Sequence, residues 1–525
     1  MDTLRQRVSD DSSGPPGGAA ATAVARALGG SVGADVYAES VTAEAGAVLA
    51  LARRGLEKVV LAAWPAGTSP PPAGAFEGKR RRTDLPAIGA AEALEGPLSA
   101  ANAAALRQIL PWTGPQAIAG RPSIGLGDRL GLATPGHVRA VRGTGYVPVL
   151  AQQSIREMTR TGRSPQTVLD DATWGVFQAG FRDGFGADAD HLKTGDDIDR
   201  CAAAGFTFYT IDPGDHVDDG ADQAAATALA RAFDALPWDA LESTARDARA
   251  AYAGRKVRPA SGREIALDDL ALHRAGVKYG RAVAHTAALY RRLVGRLGRG
   301  KFELEVSVDE TMAPTTPAEH FYVAAELARL GVAWVSLAPR FVGRFEKGVD
   351  YLGDLADLER TFVDHLAVAR EFGDYKISLH SGSDKFSVYE MAARHGGRRV
   401  HVKTAGTSYL EALRVIAACE PGLFREILAF ARDRYETDKA TYHVSADMAK
   451  VARPEDLADA ELPAVLDAFD ARQALHVSYG SVLTADGGRR FRGRLMTALR
   501  THEEAYAEAL RKHIGRHLAA FLKAR

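Results

Sequence analysis

The chain has only two cysteines in 525 residues, Cys201 and Cys419. That rules out a disulfide framework and a four-thiolate zinc site. Its fifteen histidines make a metal bound by imidazoles and carboxylates the more natural expectation. Neither sign of charge is in excess, since Lys+Arg and Asp+Glu number 66 each. A strongly basic nucleic-acid binder and a highly acidic solvating protein are therefore not expected. No stretch approaches the ~18 uninterrupted apolar residues of a membrane span. The opening MDTLRQRVSDDSSGPPGG has no apolar segment of a secretory signal, and a cytoplasmic protein is the expectation. A GxGxxG opening a helix after the first strand and a GxxxxGK[ST] are both missing, which counts against nucleotide binding. With 46% hydrophobic and 25% charged residues, the remainder is ordinary globular composition.

Residues 1–18 read as a disordered tail. Residues 19–120 read as an N-terminal accessory region, with strand-like pieces such as KVVLAAW and a Pro/Gly-rich insertion at 65–83. The KRRR within that insertion reads as a solvated loop rather than a nucleic-acid footprint. From Arg121 to the C-terminus (121–525) short apolar runs ending in polar clusters alternate with helical stretches. We place strands at Ser123–Thr134, Gly184–His191, Phe206–Asp212, Phe302–Thr311, Ala333–Arg340, Tyr375–Lys385, Val400–Tyr409 and Ala474–Ser481. A ninth run, Tyr146–Ser154, is also strand-like and leaves the count open. The alternation implies parallel strands with crossover helices, and eight units imply a (β/α)₈ TIM-type barrel. An open doubly wound sheet is the competing architecture. A helical insertion, 221–297, and closing C-terminal helices complete this domain.

Reactive residues of such a barrel gather at the C-terminal ends of the strands. ADADHLKT carries Asp188, Asp190, His191 and Lys193; a helix-start acidic cluster is its bland alternative. IDPGDH carries Asp212, Asp215 and His216, where turn capping explains much. In FELEVSVDET the period of two puts Glu303, Glu305, Ser307 and Asp309 on one face and Leu304, Val306 and Val308 on the other. The acidic face must point into the barrel, where a cation, a basic partner or protonation has to offset the cost of burying it. LHSGSDK brings His380, Ser381, Asp384 and Lys385. VKTAGTSY brings Lys403, Thr404 and Ser408. Asp128, Arg129, His137, Arg340, Glu346, His443 and Asp447 lie at other strand ends or loops; His443 is equally readable as a packed histidine. This mouth suits a small, polyhydroxylated, anionic molecule, such as a sugar acid, and a divalent metal.

These motifs resemble the tagaturonate epimerase family. The matching stretches include GLGDRLGLATPGH, ADADHLKT, EVSVDET, SLAPRFVGRFEKGVDY, LHSGSDKFSVYE, VKTAGTSYLEALR and YHVSAD, in order from Gly125 to Asp447. The first hundred residues match less well. The resemblance implies a metal-dependent epimerase interconverting D-tagaturonate and D-fructuronate in hexuronate catabolism. It implies Asp190 as base, Asp309 or Glu310 as its acid partner, and His191 and His380 as metal ligands. For the third ligand His443 is the choice, with Glu305 and Glu346 as competitors. The metal would be Zn, Ni, Mn or Co. Arg129, Lys385 and Lys403 are available to hold the substrate carboxylate, and a homo-oligomer is compatible with the chain. The two ketouronates differ at a carbon whose proton the ketone does not acidify. Retro-aldol cleavage, rotation of the aldehyde and re-addition is the mechanism that fits, with a divalent cation stabilising the enediolate. A metal-dependent aldolase of acidic sugars and a non-catalytic sugar-acid binding barrel are the alternatives.

Overall fold

The computed structural model describes residues 18–85, 89–257 and 264–524. Apart from Gly18, the expected disordered tail lies outside the described residues. The main domain is a closed barrel of eight parallel strands: β1 (Ser123–Leu126), β2 (Val147–Ser154), β3 (Gly186–Leu192), β4 (Phe208–Ile211), β5 (Glu303–Val308), β6 (Ser336–Pro339), β7 (Lys376–Leu379) and β8 (Val400–Thr404). Each strand pairs with the next in sequence, and β8 closes onto β1. The β5 alternation holds. Leu304, Val306 and Val308 join the apolar layer under the helices, while Glu303, Glu305 and Ser307 are buried on the other face. Glu303 accepts hydrogen bonds from the backbone N–H groups of Ile118 (2.8 Å) and Gly120 (2.9 Å).

Two strand readings change. The ninth run is the true second strand, β2. ALHVSYGS is helical, split between Phe469–Val477 and Tyr479–Thr484. Ala474, Leu475, His476, Val477, Ser478 and Tyr479 are all buried. A segment buried on every side shows neither a helical nor a strand period, so its pattern could not discriminate.

The accessory region is a six-stranded antiparallel sheet with a helix, Ala19–Val32, on one face. Alternation sorts its central strand Ala47–Arg54. Val48, Ala50 and Ala52 pack under that helix, and Leu49 and Leu51 pack toward Trp174 and Phe177 of the barrel helix α1 (Pro165–Gln178). KRRR is not in a loop: Lys79–Leu85 is a strand paired on one side with Gly89–Pro97. Its side chains remain mostly exposed, and charged residues on such an edge discourage pairing with another chain.

The insertion holds two short helices, a hairpin of Arg255–Val257 with Ile265–Leu267, and the 29-residue helix α2 (Asp269–Leu297). Leu272, Ala275, Tyr279, Val283, Ala287, Tyr290 and Leu293 are buried on it, at the spacing of one helix face. It therefore packs as a cover over the barrel. Helix α3 (Glu503–Lys523) closes the chain.

Candidate active site

Two backbone irregularities shape the mouth. Along β3, Tyr209 pairs with Ala189 but Ile211 pairs with Leu192, so β3 carries one extra residue. His191 sits there at φ +49°. Along β2, Leu150 and Gln153 pair with Ala187 and Ala189, again one extra residue, with Ala151 at φ +54°. A bulge interrupts strict alternation, so adjacent residues Asp190 and His191 both line the same cavity. Non-glycine residues in the left-handed region cost energy and gather at functional sites. Ser381 (φ +48°) and Asp384 (φ +60°) after β7 are two more of them.

His191, Asp309 and His380 form a group whose ligand atoms all lie within 4.8 Å of one another. Each histidine is held by a further carboxylate. His191 Nδ1 is 3.2 Å from Asp212 Oδ2, and His380 Nε2 is 2.7 Å from Glu305 Oε1. His380 Nδ1 then faces Asp309 Oδ1 at 3.1 Å. Two imidazoles and one carboxylate, with outer carboxylates fixing the rings, suit a divalent transition metal such as Zn, Ni, Mn or Co. Glu305 Oε2 is buried without a hydrogen-bond partner, which marks the local surplus of negative charge. Burial alone would lower both imidazole pKa values. The carboxylates around them outweigh it, led by Asp190 for His191 and Asp309 for His380, and push the two up to about 10 and about 9. The pocket thus favours positive charge at this point.

Lys403 is the buried cation beneath that group. Its ammonium lies 2.7 Å from Asp188, 2.8 Å from Asp190 and 2.7 Å from Glu305. It is the basic partner that the inward acidic face of β5 required. Burial raises the Asp190 carboxyl, but Lys403 outweighs it and holds the group well below the usual carboxylate range. Burial and the like charges of Asp190 and Glu305 push Asp188 the other way, up to about 7. Gln152 also donates to Asp190, at 3.1 Å. A Cβ at Gly125 would lie 2.7 Å from the Gln152 amide oxygen and would displace that side chain.

The three expected carboxylate-holding cations fare differently. Lys385 points away from the mouth; its buried ammonium donates to the backbone carbonyls of Glu346, Val349 and Ser383 at 2.8, 2.5 and 3.0 Å. Lys403 is consumed by three carboxylates. Arg129 lines the cavity, buried, with Nε and Nη2 on Glu157 (2.9 and 2.8 Å) and its centre 3.7 Å over the Tyr479 ring. Its Nη1 has no partner. Two further cations line the same cavity and had no role in the sequence reading: Arg156, and Lys347, which donates to Ser381 Oγ at 2.6 Å. Arg156 comes from the helix Ile155–Thr161 that follows β2 and Lys347 from the loop after β6, and their remoteness in sequence hides their convergence.

His443 is exposed and stands outside the clusters that could hold a metal among the described residues. It lines a neighbouring cavity of about 170 Å³ with Asp309, Glu310, Arg340 and Glu346. Glu346 accepts from Ser445 and Gln473, both at 2.7 Å. Glu310 is exposed, pairs with Arg156 at 3.4 Å and forms a second potential ligand group with His191 and Asp212. Asp309, expected as an acid, is thus the carboxylate that completes the histidine pair.

A third cluster, Asp384, His513 and His517, is fully buried. It reads as a lock. Asp384 takes Arg472 at 2.7 Å and His513 at 2.5 Å. His513 Nδ1 lies 3.2 Å from Glu411. The Asp384 amide donates to His517 Nε2 at 3.0 Å, and His517 Nδ1 donates to the His513 carbonyl at 2.9 Å. Both nitrogens of His517 are therefore occupied.

The chain matches the family model described as tagaturonate epimerase, UxaE, over residues 37–521. The match starts inside the accessory sheet, so the likeness reaches further forward than the motifs suggested. A tagaturonate/fructuronate epimerase of Thermotoga maritima is 46% identical over 419 residues, which is 79% of this chain and 84% of that protein. The native crystal structure of the fructuronate-tagaturonate epimerase UxaE from Cohnella laeviribosi superposes with a TM-score of 0.85 at 38% identity, covering 93% of this chain and 96% of that one. A glycerol complex of the same enzyme gives a TM-score of 0.86 at 37% identity, over 95% and 99%. The chain belongs to the tagaturonate epimerase family.

Proposed function

We propose that this protein interconverts D-tagaturonate and D-fructuronate by cleaving and re-forming one carbon–carbon bond, with a divalent cation held by His191, His380 and Asp309. The observation that carries this reading is one cavity lined by a carboxylate held ionised (Asp190), two carboxylate-braced histidines and an arginine with a free edge, Arg129.

The cation, when bound, supplies Lewis-acid neutralisation of the negative charge that develops on the ketone side of the substrate. Asp190 accepts the proton of the hydroxyl on the carbon to be inverted. The bond from that carbon to the carbon next to the ketone then breaks, leaving an aldehyde and an electron pair on the ketone-bearing fragment. The aldehyde turns, the same pair attacks its other face, and the new alkoxide takes back a proton. Glu310, exposed at the rim beside His191 and Asp212, gives it a proton taken up from solvent, and Asp190 releases its own proton to solvent, which resets the pair. Arg129 Nη1 takes the substrate carboxylate, tethering the aldehyde fragment so that it turns without leaving.

Asp190→Asn keeps the size and the Gln152 contact but accepts no proton. Its turnover of D-tagaturonate, followed by separating the two ketouronates, should fall by about 10²–10⁴-fold, while its metal content stays equal to that of the unsubstituted protein. Undiminished turnover removes Asp190 from the role of base. Steady release of separate fragments from the unsubstituted protein would make it an aldolase instead.

A further inference from the structure

The largest cavity described lies elsewhere. A cleft of about 1230 Å³ runs between the accessory sheet and the barrel, and shares no lining residue with the two cavities at the mouth. The whole chain is electrically neutral, yet this cleft is lined by eight cationic side chains and four acidic ones. Four of the cations are already answered: Arg54 and Arg81 by Glu95, Lys58 by Glu503 and Arg163 by Asp171. Lys79, Arg80, Arg492 and Arg500 pair with no carboxylate among the described residues. They come from the edge strand of the accessory sheet and from the C-terminal helix Arg492–Thr501, so the two sides of the cleft both present positive charge across open space. Like charges facing one another repel, and a folded protein retains such an arrangement at a cost.

Two further features of the cleft favour an anion. The N-terminus of the fourteen-residue helix α1 opens into it, with Ser164, Gln166 and Thr167 on the lining. Ser164 caps the Thr167 amide at 3.1 Å, which leaves the Gln166 amide of the first turn with no partner inside the helix. Trp174 also lines the cleft; the residue is 5% exposed, and its indole N–H is buried without a partner. The charge surplus comes from the edge strand and the helix Arg492–Thr501, while the helix start and the orphaned donor both belong to α1; all of them call for the same chemistry.

We propose that this cleft is a binding site for a small organic polyanion, a molecule bearing two or more closely spaced negative charges, distinct from the substrate site. Arginines and a helix start fit the oxygens of a diphosphate, and the same donors fit clustered carboxylates. The volume admits a molecule of nucleotide size.

The test uses the intact protein at 0.15 M salt with three probes in calorimetry: inorganic pyrophosphate, ADP and citrate. At least one should bind once per chain with a Kd below about 100 μM. Pyrophosphate and ADP without citrate identify a phosphate site; citrate alone identifies a polycarboxylate site. Lys79→Ala and Arg500→Ala, made separately on opposite walls, should each weaken that binding about tenfold and leave epimerase turnover without the anion unchanged. Failure of all three probes to saturate overturns the proposal. So does binding that both variants leave intact, because it would then lie outside the cleft.

Discussion

Arg129 and Lys385 show how much a side chain's surroundings decide what it can do. Both are buried cations at strand ends of the same barrel. Lys385 spends all three of its donors on backbone carbonyls. Arg129 spends only part of its fork on Glu157 and keeps Nη1 unmatched, in a side chain that lines the cavity of Asp190, His191 and His380. A buried donor without a partner costs about 1–3 kcal/mol, which an incoming carboxylate returns. Arg129→Lys keeps the charge beside Glu157 and loses the fork. Its KM for the uronate should rise by about 10–100-fold, the equivalent of ~1.4–2.8 kcal/mol, with kcat changing less. Lys385→Met should leave KM near its original value and instead lower the denaturant midpoint, since three carbonyls lose their donor. A normal KM in the Arg129 variant would move the carboxylate to Lys347 or Arg156. Sequence alone offered these cations together, as basic residues at strand ends. It could not rank them by partner, because the carbonyls that bind Lys385 carry no side-chain signal.

At the level of elements, the strand ends were legible and their fine geometry was not. The acidic face of β5 followed from a period of two, and the apolar face followed with it. The bulges of β2 and β3 did not, since a single left-handed residue leaves no pattern in sequence when that residue is His191 or Ala151. The reading of Ala474–Ser481 as a strand failed for a related reason: complete burial erases periodicity. Helix α3 was legible as a closing helix, but its function as a lock was not. His513 and His517 are four apart and so share a face. They reach Asp384 in the loop that follows His380, where Ser381 and Asp384 hold left-handed backbone. Asp384→Ala strands Arg472 as a buried charge and leaves His513 Nε2 without its partner. It should cost roughly 3–5 kcal/mol of stability, read by urea unfolding, and should lower metal affinity by loosening the His380 loop. Unchanged metal affinity in a folded variant would detach helix α3 from the site.

The whole molecule joins a sheet to a barrel that buries an unusual amount of charge in its interior. Part of that charge weakens the fold in a pH-dependent way. Lys376 on β7 is buried and donates to Ser123 Oγ at 2.8 Å. Burial, only partly offset by Glu303 and Glu305, lowers its pKa to about 8, against about 10.4 in an unfolded chain. Between these values the unfolded chain binds more protons, so stability contributed by this residue rises with pH across that window and is lowest below pH 8. Comparing urea unfolding of the protein and of Lys376→Met at pH 7.5 and 10 should show the gap shifting by on the order of 2 kcal/mol in favour of the unsubstituted protein at the higher pH. A pH-independent gap would mean that Lys376 titrates as freely as an exposed lysine.

The account stands or falls on the bond that breaks. Metal-loaded protein incubated with D-tagaturonate in heavy water, with the products separated and read by proton NMR, addresses it directly. The account predicts D-fructuronate whose inverted carbon keeps its original hydrogen, because that carbon–hydrogen bond is never broken. Solvent deuterium at the inverted carbon would contradict it and put proton abstraction in place of carbon–carbon cleavage.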